Sequence, residues 1–565
     1  MEFKAYLAEK IAGALREAFD ASVDGIPGFL ETPPNPEMGA FPCFRLSKAL
    51  RMAPPAIAGK LSERIAPDQV IERVECVGGY LNFFLHKTGY AQSIVERVLE
   101  QGERYGSSDE GQGRVICIDY SSINIAKRFH IGHLSTTMIG NALYKIYEHL
   151  GYKCVGINHL GDWGTQFGKM IAAYLKWGSR EEIERDGVNA LTALYVRFHK
   201  EAEKDPALED EGRLWFKKIE DGDPEALRIF NKFKEITLKD AQRVYDMLGV
   251  QFDSYAGESF YNDKMQPVID ELREKGLLKE SQGAYVVDLE DEGMPPCLIL
   301  KKDGATLYAT RDLAAAFYRK KTYDFYKDLY VVAYQQDLHF RQWFKVVEKM
   351  GYDWAKDLEH VAFGMVSYEG RALSTREGYV VYLDELLTRA VEKAREIIEE
   401  KSPNLADKDK VARQVGIGAV VFFDLFNNRI KDIDFRWERV LNFDGETGPY
   451  VQYTHARCCS VLAKAGELSA APDYAALDNA QAQEVVRSLE RFPELVWEAC
   501  QRNEPSLLTR FTVELASNFN RYYYENRILT EDAAASAARV NLTAATASCL
   551  RTALGLIGVE APEKM

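Results

Sequence analysis

At residues 115–120 the chain reads Val115-Ile116-Cys117-Ile118-Asp119-Tyr120, and at 130–133 it reads His130-Ile131-Gly132-His133. The first run is short, apolar and rich in β-branched residues, which predicts a buried strand. After the second run, apolar residues recur at helical spacing as far as Leu150, and Gly151 stands where a helix C-cap is expected. The sequence therefore places two imidazoles at the first turn of a helix that follows a strand, and this unit decides the fold.

This helix start is suited to an anion. Its free backbone N–H groups and the positive end of the helix dipole attract phosphate. The imidazoles of His130 and His133 could hold the oxygens of a transferring phosphoryl group, and Gly132 would let a base or ribose approach the backbone closely. The alternative is an ordinary polar helix start with two surface histidines, which four residues alone do not exclude.

Two longer stretches resemble a known family. Ser122–His133 and Asn158–Gly168, the second reading Asn-His-Leu-Gly-Asp-Trp-Gly-Thr-Gln-Phe-Gly, closely resemble the active-site entrance of the arginyl-tRNA synthetases. These are class I enzymes with a Rossmann-type catalytic domain. The resemblance implies that the chain joins L-arginine to the end of tRNA(Arg) at the expense of ATP, giving arginyl-tRNA, AMP and pyrophosphate. It also implies that Mg²⁺ arrives on ATP.

Length and composition are those of a large soluble protein. With 565 residues the chain has room for roughly three to four domains. No apolar run approaches the roughly 18 residues that span a bilayer, so we expect no membrane partner. Nine cysteines without a C-x-x-C pair suggest neither zinc nor a disulfide framework. The N-terminus shows no signal peptide, so the expected location is the cytoplasm, and we expect a monomer. The net charge of −15 argues weakly against an RNA partner.

Turn signals and periodicity divide the chain into parts. A polar stretch, Gly106–Gly113, reads as a flexible linker, and the β-α-β order that follows it predicts a parallel sheet. The expected parts are an α+β N-terminal domain (1–110), an α/β Rossmann-type catalytic domain (111–385) with a helical insertion at about 170–250, a helical connector (386–445) and an all-α domain (446–565). The first part is similar in its turns to the tRNA-contacting N-terminal domain of the family, although it could be a structural appendage.

Several strands are predicted beyond the first. They are Lys153–Ile157, Gln251–Tyr255, Cys297–Leu300, Ala305–Ala309, Leu329–Tyr334 and Val361–Val366. Lys302-Asp303-Gly304 is a hairpin signal between two of them. A helix is expected to begin near Thr310 or Asp312.

Polar residues near the ends of these strands form a predicted arginine pocket. In open α/β sheets, ligands bind beyond the carboxyl ends of the strands. Carboxylates and an aromatic wall suit a guanidinium, which presents forked donors and stacks on rings. By the resemblance, Asn124 and Gln336 hold the amino-acid end, Tyr308, Asp312 and Glu258 address the side chain, and Ser122 and His133 also bind arginine. Taken singly, Asp312 could be a helix N-cap and Gln336 a surface amide.

The stretch Glu369–Gly378 resembles the second class I signature, a mobile loop usually written K-M-S-K-S. Aligned without gaps, Ala372 holds the place of the first lysine, Leu373 that of methionine and Thr375 that of the second lysine. Arg371 and Arg376 of the loop can still bind phosphate oxygens through paired N–H donors. The alternative is a surface turn that happens to contain arginine.

The implied reaction needs no protein nucleophile. The arginine carboxylate attacks the α-phosphorus of ATP, and the terminal hydroxyl of tRNA then takes the aminoacyl group. Catalysis would depend on positioning and on charge stabilisation. The expected catalytic residues are Lys127, His130, His133, Arg371, Ser374 and Arg376, and the expected ATP-binding residues are His130, Gly132, His133, Arg371 and Ser374. In the family that this chain resembles, a lysine at the place of Lys127 stands in for the absent loop lysine.

Helical patterns dominate from Leu383 to the end of the chain. Glu446–Arg457 closely resembles the start of the family's anticodon-binding domain. Asn518, Arg521 and Tyr522–Tyr524 offer a guanidinium and rings that could stack on unpaired bases. An aromatic cluster on a helix can equally belong to the core.

Three other functions share part of this pattern. A synthetase for another amino acid would need a different pocket from the Tyr308, Asp312 and Glu258 set. A small nucleotidyltransferase can share His-x-Gly-His but would not need the helical C-terminal third. A non-catalytic tRNA-binding relative is favoured only by the altered 371–378 loop. A charging assay across all amino acids, with total tRNA and ATP, would separate these functions.

Overall fold

The structure is a computed structural model that describes residues 3–23, 25–26, 30, 46–302, 306–373, 380–466 and 469–565. The chain separates into two compact units. The first contains Met1–Tyr105, Arg457–Arg491 and Glu514–Cys549, and the second contains Gly106–Ala456, Phe492–Val513 and Leu550–Met565. Among the described residues, no helix combines the length and the apolar character that crossing a bilayer requires.

The N-terminal region combines helices with one hairpin. Its elements are α1 (Phe3–Phe19), α2 (Leu46–Leu50), α3 (Pro54–Arg64), β1 (Ile71–Val77), β2 (Tyr80–Leu85) and α4 (Lys87–Gln101). The strands run antiparallel, and the two residues between them, Gly78 and Gly79, both have positive φ, as a tight hairpin favours. Pro54 and Pro55 are the first two residues of α3. The first N–H groups of a helix have no acceptor within the helix, so proline costs no hydrogen bond there.

The second unit begins with the predicted strand, helix and strand, and all three are confirmed. These elements are β3 (Val115–Asp119), α5 (Leu134–His149) and β4 (Lys153–Ile157). Gly151 ends the helical turn with a φ of 79°, a conformation that glycine adopts without strain. The charged stretch that follows is helical, as predicted. Its helices are α6 (Thr165–Trp177), α7 (Arg180–Asp186), α8 (Val188–Ala202), α9 (Ala207–Glu220) and α10 (Pro224–Leu248).

Helices and short strands alternate through the rest of the chain. Up to the second signature they are α11 (Met265–Glu274), β5 (Leu278–Ser281), β6 (Ala284–Val287), β7 (Cys297–Lys301), α12 (Tyr308–Tyr323), β8 (Lys327–Tyr330), α13 (Asp337–Lys349), β9 (Leu358–His360), β10 (Val366–Tyr368) and β11 (Arg371–Ala372). After it they are α14 (Leu383–Lys401), α15 (Lys408–Phe426), β12 (Ile433–Phe435), α16 (Trp437–Val440), α17 (Gly448–Ala465), α18 (Ala480–Gln501), α19 (Ser506–Glu525) and α20 (Ala533–Leu556).

The predicted parallel sheet is confirmed. Its strands lie in the order β4-β3-β8-β9, and each neighbouring pair is parallel. Ile116, Ile118 and Leu329 on its central strands are fully buried, as expected for a parallel sheet covered on both faces. The carboxyl ends of β3 and β8 therefore lie side by side at one edge of the sheet.

The strands predicted at 251–255 and 361–366 do not form as predicted. Only Ser254 of the stretch 251–255 bridges a strand residue, Ile157, and the Asp253 carboxylate accepts the Gly156 N–H that a further strand would use. Residues 361–365 separate β9 from β10, which belong to different sheets, and Val366 is the first residue of β10. In between, the Gly364 N–H donates to the Arg429 carbonyl, so the chain leaves the parallel sheet there.

Two further strands are shorter than predicted. In place of the strand Ala305–Ala309, Thr306 makes one antiparallel bridge to Leu300 and α12 already begins at Tyr308, before the expected Thr310 or Asp312. Residues 303–305 of the predicted hairpin lie outside the described residues. The strand predicted to reach Tyr334 ends at Tyr330, because the chain enters a 3-10 turn at Tyr334–Gln336.

The predicted linker Gly106–Gly113 is held against the end of α5 and does not read as a flexible tether. The Gly111 and Gly113 N–H groups donate to the carbonyls of Leu150 and Gly151, both at 2.8 Å. A Cβ atom on Gly111 would lie 2.2 Å from the Tyr152 nitrogen, so only glycine fits here.

Gly140 in α5 sets how closely that helix approaches the sheet. A Cβ atom there would lie 2.2–2.5 Å from the Tyr120 side chain. Alanine favours a helix over glycine by about 1 kcal/mol, but overpacking a core typically costs about 1–3 kcal/mol. We expect Gly140→Ala to lower the melting temperature. Gly555→Ala, at a helical glycine with no heavy atom within 4 Å, is the control and should not lower it. Equal melting of the two variants would contradict the close packing of α5 on Tyr120.

Candidate active site

The loop after β3 is held in an uncommon backbone conformation. Ser121, Ser122 and Ala126 have positive φ values of 70°, 46° and 62°. Residues other than glycine adopt such values only where the surroundings impose them. Ser122 Oγ donates to Asp119 Oδ1 at 2.8 Å, and the Ser121 N–H donates to Thr136 Oγ1 at 3.0 Å. The loop therefore has one fixed shape at the carboxyl edge of the sheet.

Asn124 lies where the two stretches of family resemblance meet. It forms a parallel bridge with Gly161, in which the Ile125 N–H donates to the Gly161 carbonyl and the Gly161 N–H donates to the Ile123 carbonyl. A Cβ atom on Gly161 would lie 2.3 Å from Asn124 Oδ1. Glycine at this position thus lets the exposed Asn124 amide lie directly over the neighbouring backbone.

The backbone fixes the tautomers of both signature histidines. The Gly132 N–H donates to His130 Nδ1 at 3.1 Å, and the His130 N–H donates to His133 Nδ1 at 3.2 Å. A ring nitrogen that accepts carries no proton, so each neutral imidazole holds its hydrogen on Nε2. The ring centroids are 3.9 Å apart. Two N–H donors therefore leave the same helix start side by side.

Both imidazoles are neutral at pH 7. Burial, followed by the nearby charge of Lys127, lowers the pKa of His130 to about 4. Burial lowers the pKa of His133 to about 3, with smaller effects from His130 and Lys127. The exposed Lys127 thus supplies the positive charge on this side of the site, and the imidazoles supply neutral donors. Together they form a site for the oxygens of an anion.

The first turn of α5 is anchored from behind by a buried acid. Ser135 Oγ donates to Asp424 Oδ1 of α15 at 2.6 Å. Burial raises the pKa of Asp424 to about 7, and the hydrogen bond from Ser135 opposes that rise. One turn along, Thr137 Oγ1 donates to the His133 carbonyl at 2.7 Å. Ser135 therefore joins the first turn of α5 to α15, and Thr137 fixes the carbonyl of His133.

The chain that follows the second signature is joined to the first. The Ile131 N–H donates to the Val381 carbonyl at 2.9 Å, and the Leu383 N–H donates to the Phe129 carbonyl at 3.0 Å. Arg128 adds a side-chain contact: its guanidinium stacks on the Tyr382 ring at 3.6 Å and donates to Asp384 and Glu385 of α14.

The second signature itself is described only in part. Arg371 is an exposed residue of β11, opposite Tyr368 of β10. Leu373 lies near the first signature, since its Cδ1 would be 3.8 Å from a Cβ atom on Gly132. Ser374 and Arg376 lie outside the described residues.

Three residues of the predicted arginine pocket lie at the starts of α12 and α13. Tyr308 is the first residue of α12 and its side chain is 71% exposed. Asp312 lies one turn later, and its Oδ2 is 2.6 Å from His339 Nε2. Gln336 is exposed and occupies the N-cap position of α13, which contains His339, without a side-chain capping hydrogen bond. The contact between Asp312 and His339 therefore joins the two helix starts that contain these residues.

Glu258 contributes a second carboxylate to this pocket. Its N–H donates to the Leu160 carbonyl at 2.9 Å. Burial raises the pKa of Glu258 to about 7; Arg311 opposes the rise, and Asp312 and Asp162 add to it. The carboxylates of Glu258 and Asp312 therefore lie close enough to repel each other. In the part of the chain that the structure describes, no group of three or more His, Cys, Asp or Glu residues is arranged to hold a metal ion.

Sequence reasoning missed two residues beside the pocket. His339, the partner of Asp312, follows Gln336 by three residues, so helical spacing could have found it. Arg319 of α12 is 1% exposed and donates to Asp119 Oδ2 at 2.6 Å, while its guanidinium lies 3.6 Å from Asp328. No local pattern marks Arg319, because its two acids come from strands 200 residues and 9 residues away in the chain.

The aromatic cluster of α19, in the first unit, divides between core and surface. Tyr522 is fully buried, whereas Tyr524 is 81% exposed. Asn518 donates to Ser488, and Arg521 donates to Glu484, both at 3.0 Å. Tyr522 is therefore a core residue, and a base-stacking role stays a prediction for the exposed ring.

Three family models match the chain. The model described as tRNA synthetases class I (R), catalytic domain, matches residues 94–437. The DALR anticodon binding domain matches residues 451–565, and the arginyl tRNA synthetase N terminal domain matches residues 5–85. Together these matches cover most of the chain, and the class I match includes both signatures.

Known proteins are similar over nearly the whole length. The chain is 56% identical to the arginine–tRNA ligase of Alkaliphilus metalliredigens over 95% of each protein. It is 54% identical to that of Clostridioides difficile over 98% of this chain and 99% of the relative. Among solved structures, the arginyl-tRNA synthetase of Thermus thermophilus matches with a TM-score of 0.83 and 27% identity, with all of both chains covered.

The tautomers of the signature histidines can be measured directly. We expect nitrogen NMR spectra of the protein with isotope-labelled histidine to show His130 and His133 neutral at pH 7, with hydrogen on Nε2. Because the pKa of each imidazole is lowered by burial, to about 4 and about 3, neither should gain a proton until the pH falls below about 5. His→Gln variants assign the two signals. A cationic ring at pH 7, or hydrogen on Nδ1, would contradict this geometry.

Proposed function

Since this chain belongs to the arginyl-tRNA synthetases and catalyses the ATP-dependent joining of arginine to tRNA, we propose how its site residues divide that reaction between them. One observation supports the proposal above the others. The loop after β3 and the starts of α5, α12 and α13 all lie beyond the carboxyl edge of one parallel sheet. Acidic groups gather at the starts of α12 and α13, and donors gather at the start of α5.

The acidic side of the site addresses arginine. The Asp312 carboxylate accepts the forked donors of the guanidinium, Tyr308 forms a wall against its plane, and Glu258 supplies a second carboxylate. The pKa of Glu258, raised by burial to about 7, should fall again when a guanidinium enters. The amino-acid end of the substrate is held by Ser122, Asn124, His133 and Gln336. Ser122 keeps acceptor lone pairs although its hydrogen is donated to Asp119.

The donor side addresses ATP. A carboxylate oxygen of arginine attacks the α-phosphorus, the bond to the bridging oxygen breaks, and pyrophosphate leaves with that electron pair. The Nε2–H groups of His130 and His133 and the charge of Lys127 stabilise the oxygens on which charge builds. Gly132 admits the nucleotide close to the backbone. Arg371, Ser374 and Arg376 complete the phosphate site from the second signature.

Several finer points belong to the same proposal. The nucleic-acid substrate is tRNA(Arg), ATP enters with Mg²⁺, a hard cation that binds phosphate oxygens, and no zinc is needed. The protein acts as a monomer in the cytoplasm, where translation takes place. The domains are those expected from sequence: a tRNA-contacting part (1–110), the catalytic domain (111–385) with its insertion at about 170–250, the connector (386–445) and the anticodon-binding part (446–565). The ranges of the three family models support this division.

Replacing Asp312 tests the arginine pocket. Asp312→Asn removes a charge from a bidentate partner of the guanidinium, so we expect KM for arginine to rise roughly 30-fold or more. KM for ATP should change little. The measurement is steady-state aminoacylation of tRNA with each substrate varied in turn. Asp324→Asn, at the exposed C-terminal end of the same helix, is the matched control. Equal weakening for both substrates would mean that the pocket is misassigned.

Replacing Lys127 tests the phosphate site. Lys127→Ala should slow adenylate formation by roughly two orders of magnitude or more, since it removes a charge beside the reacting phosphorus. Lys127→Arg should recover only part of the rate, because the planar guanidinium of arginine cannot place its charge where the compact ammonium of lysine lies. Lys349→Ala, which removes a lysine paired with Asp291 at the surface, is the control in arginine-dependent pyrophosphate exchange with tRNA present. Full exchange by Lys127→Ala would show that another residue completes the site.

A further inference from the structure

The carboxylate proposed to bind arginine has a partner within the protein. His339 Nε2 lies 2.6 Å from Asp312 Oδ2, and both side chains are about one quarter exposed, at 27% and 26%. The pair therefore lies at the pocket surface, within reach of a substrate. No other residue that the structure describes makes a hydrogen bond to the Asp312 carboxylate.

Hydrogen-bond chemistry assigns the direction of this contact. A carboxylate oxygen accepts, so His339 donates through Nε2–H. A guanidinium has five donors and no acceptor, so arginine cannot receive this hydrogen bond. His339 thus acts on Asp312 and leaves Oδ1, with the free lone pair of Oδ2, for the substrate.

The carboxylate needs such a contact to keep one orientation. The torsion that turns an aspartate carboxylate is broad and has no sharp preferred value. Its surroundings do not fix it either, because Glu258 repels Asp312, while the guanidinium of Arg311, the preceding residue, attracts the Glu258 carboxylate. Arg311 is 7% exposed and its Nε has no hydrogen-bond partner among the described residues, so Arg311 makes no contact that would orient Asp312 in place of His339.

We propose that His339 is a positioning residue for arginine specificity: it holds the plane of the Asp312 carboxylate so that the forked donors of a guanidinium meet both oxygens. The inference rests on the proposed role of Asp312 in binding arginine. The planar guanidinium binds a carboxylate through two parallel N–H donors, so its binding depends on the orientation of the carboxylate. The ammonium of lysine is a compact charge whose binding does not depend on that orientation. His339 therefore favours arginine over lysine without contacting either.

The test replaces His339 by glutamine, asparagine and alanine. The amide nitrogen of glutamine can occupy the place of Nε2 and donate to Asp312, whereas asparagine is too short and alanine has no donor. We expect His339→Ala and His339→Asn to raise KM for arginine about tenfold or more, as loss of a hydrogen bond to a charged group does. KM for ATP and kcat should stay within about twofold. His339→Gln should remain within about threefold of the unaltered protein in KM for arginine.

Inhibition by lysine gives a second readout that general damage would not reproduce. The inhibition constant of L-lysine, competing with arginine, should change by less than about twofold in His339→Ala, because an ammonium needs no oriented fork. Discrimination between the two amino acids should therefore fall. Gln342→Ala is the matched control, since Gln342 lies one turn later in α13 and donates only to the carbonyls of Pro295 and Pro296. Melting temperatures of all variants show whether any has lost its fold, and His339→Asn remains a test if His339→Ala does not fold.

The outcomes separate this inference from the proposed function. Unchanged KM for arginine in His339→Ala and His339→Asn would overturn the inference, and so would a glutamine variant no better than alanine. If Asp312→Asn leaves KM for arginine unchanged, the proposed pocket itself is wrong. If Asp312→Asn raises that KM and His339→Ala does not, only the inference fails. In the double variant, loss of His339 should add nothing to the effect of Asp312→Asn, since both act through one carboxylate.

Discussion

A buried arginine holds together the edge of the sheet on which the site depends. Arg319 extends from α12 to Asp119 at the end of β3 and to Asp328 in β8, and its side chain is 1% exposed. Leaving one charge of such a cluster unpaired costs about 3–5 kcal/mol, so the three elements keep a fixed arrangement. Because Asp119 also accepts the Ser122 hydroxyl, the same cluster fixes the loop that leads to the signature histidines.

The charges of the site are separated in the way that we propose for its two substrates. Carboxylates lie at Glu258 and Asp312, the proposed guanidinium site, and a lysine with two neutral imidazoles lies at the start of α5, the proposed phosphate site. Burial keeps both imidazoles neutral, with pKa values lowered to about 4 and about 3. Neutral N–H donors can stabilise phosphate oxygens without attracting the substrate carboxylate as strongly as a cation would. We propose that this separation directs arginine and ATP to different sides of the site.

Local sequence patterns predicted those elements whose stability is itself local. β3, β4 and α5 were expected within a residue or two of where they occur, because each has a strong apolar pattern and clear end signals. The strands expected at 251–255 and 361–366 are wrong because contacts with distant parts of the chain outweigh the local pattern. Both stretches have strand-like composition. In the first, the Asp253 carboxylate accepts the Gly156 N–H that a further strand would bind. The second passes from one sheet to another.

The sequence by itself determined the strand–loop–helix unit, the parallel sheet and the family, since these depend on periodicity and on residues that are neighbours in the chain. Only the tertiary structure decided which groups touch. The pairing of His339 with Asp312, the burial of Arg319 between two acids and the tautomers of the histidines all depend on long-range contacts. The burial of a polar group and the partners available for its hydrogen bonds depend on the residues packed around it, and those residues are far apart in the sequence.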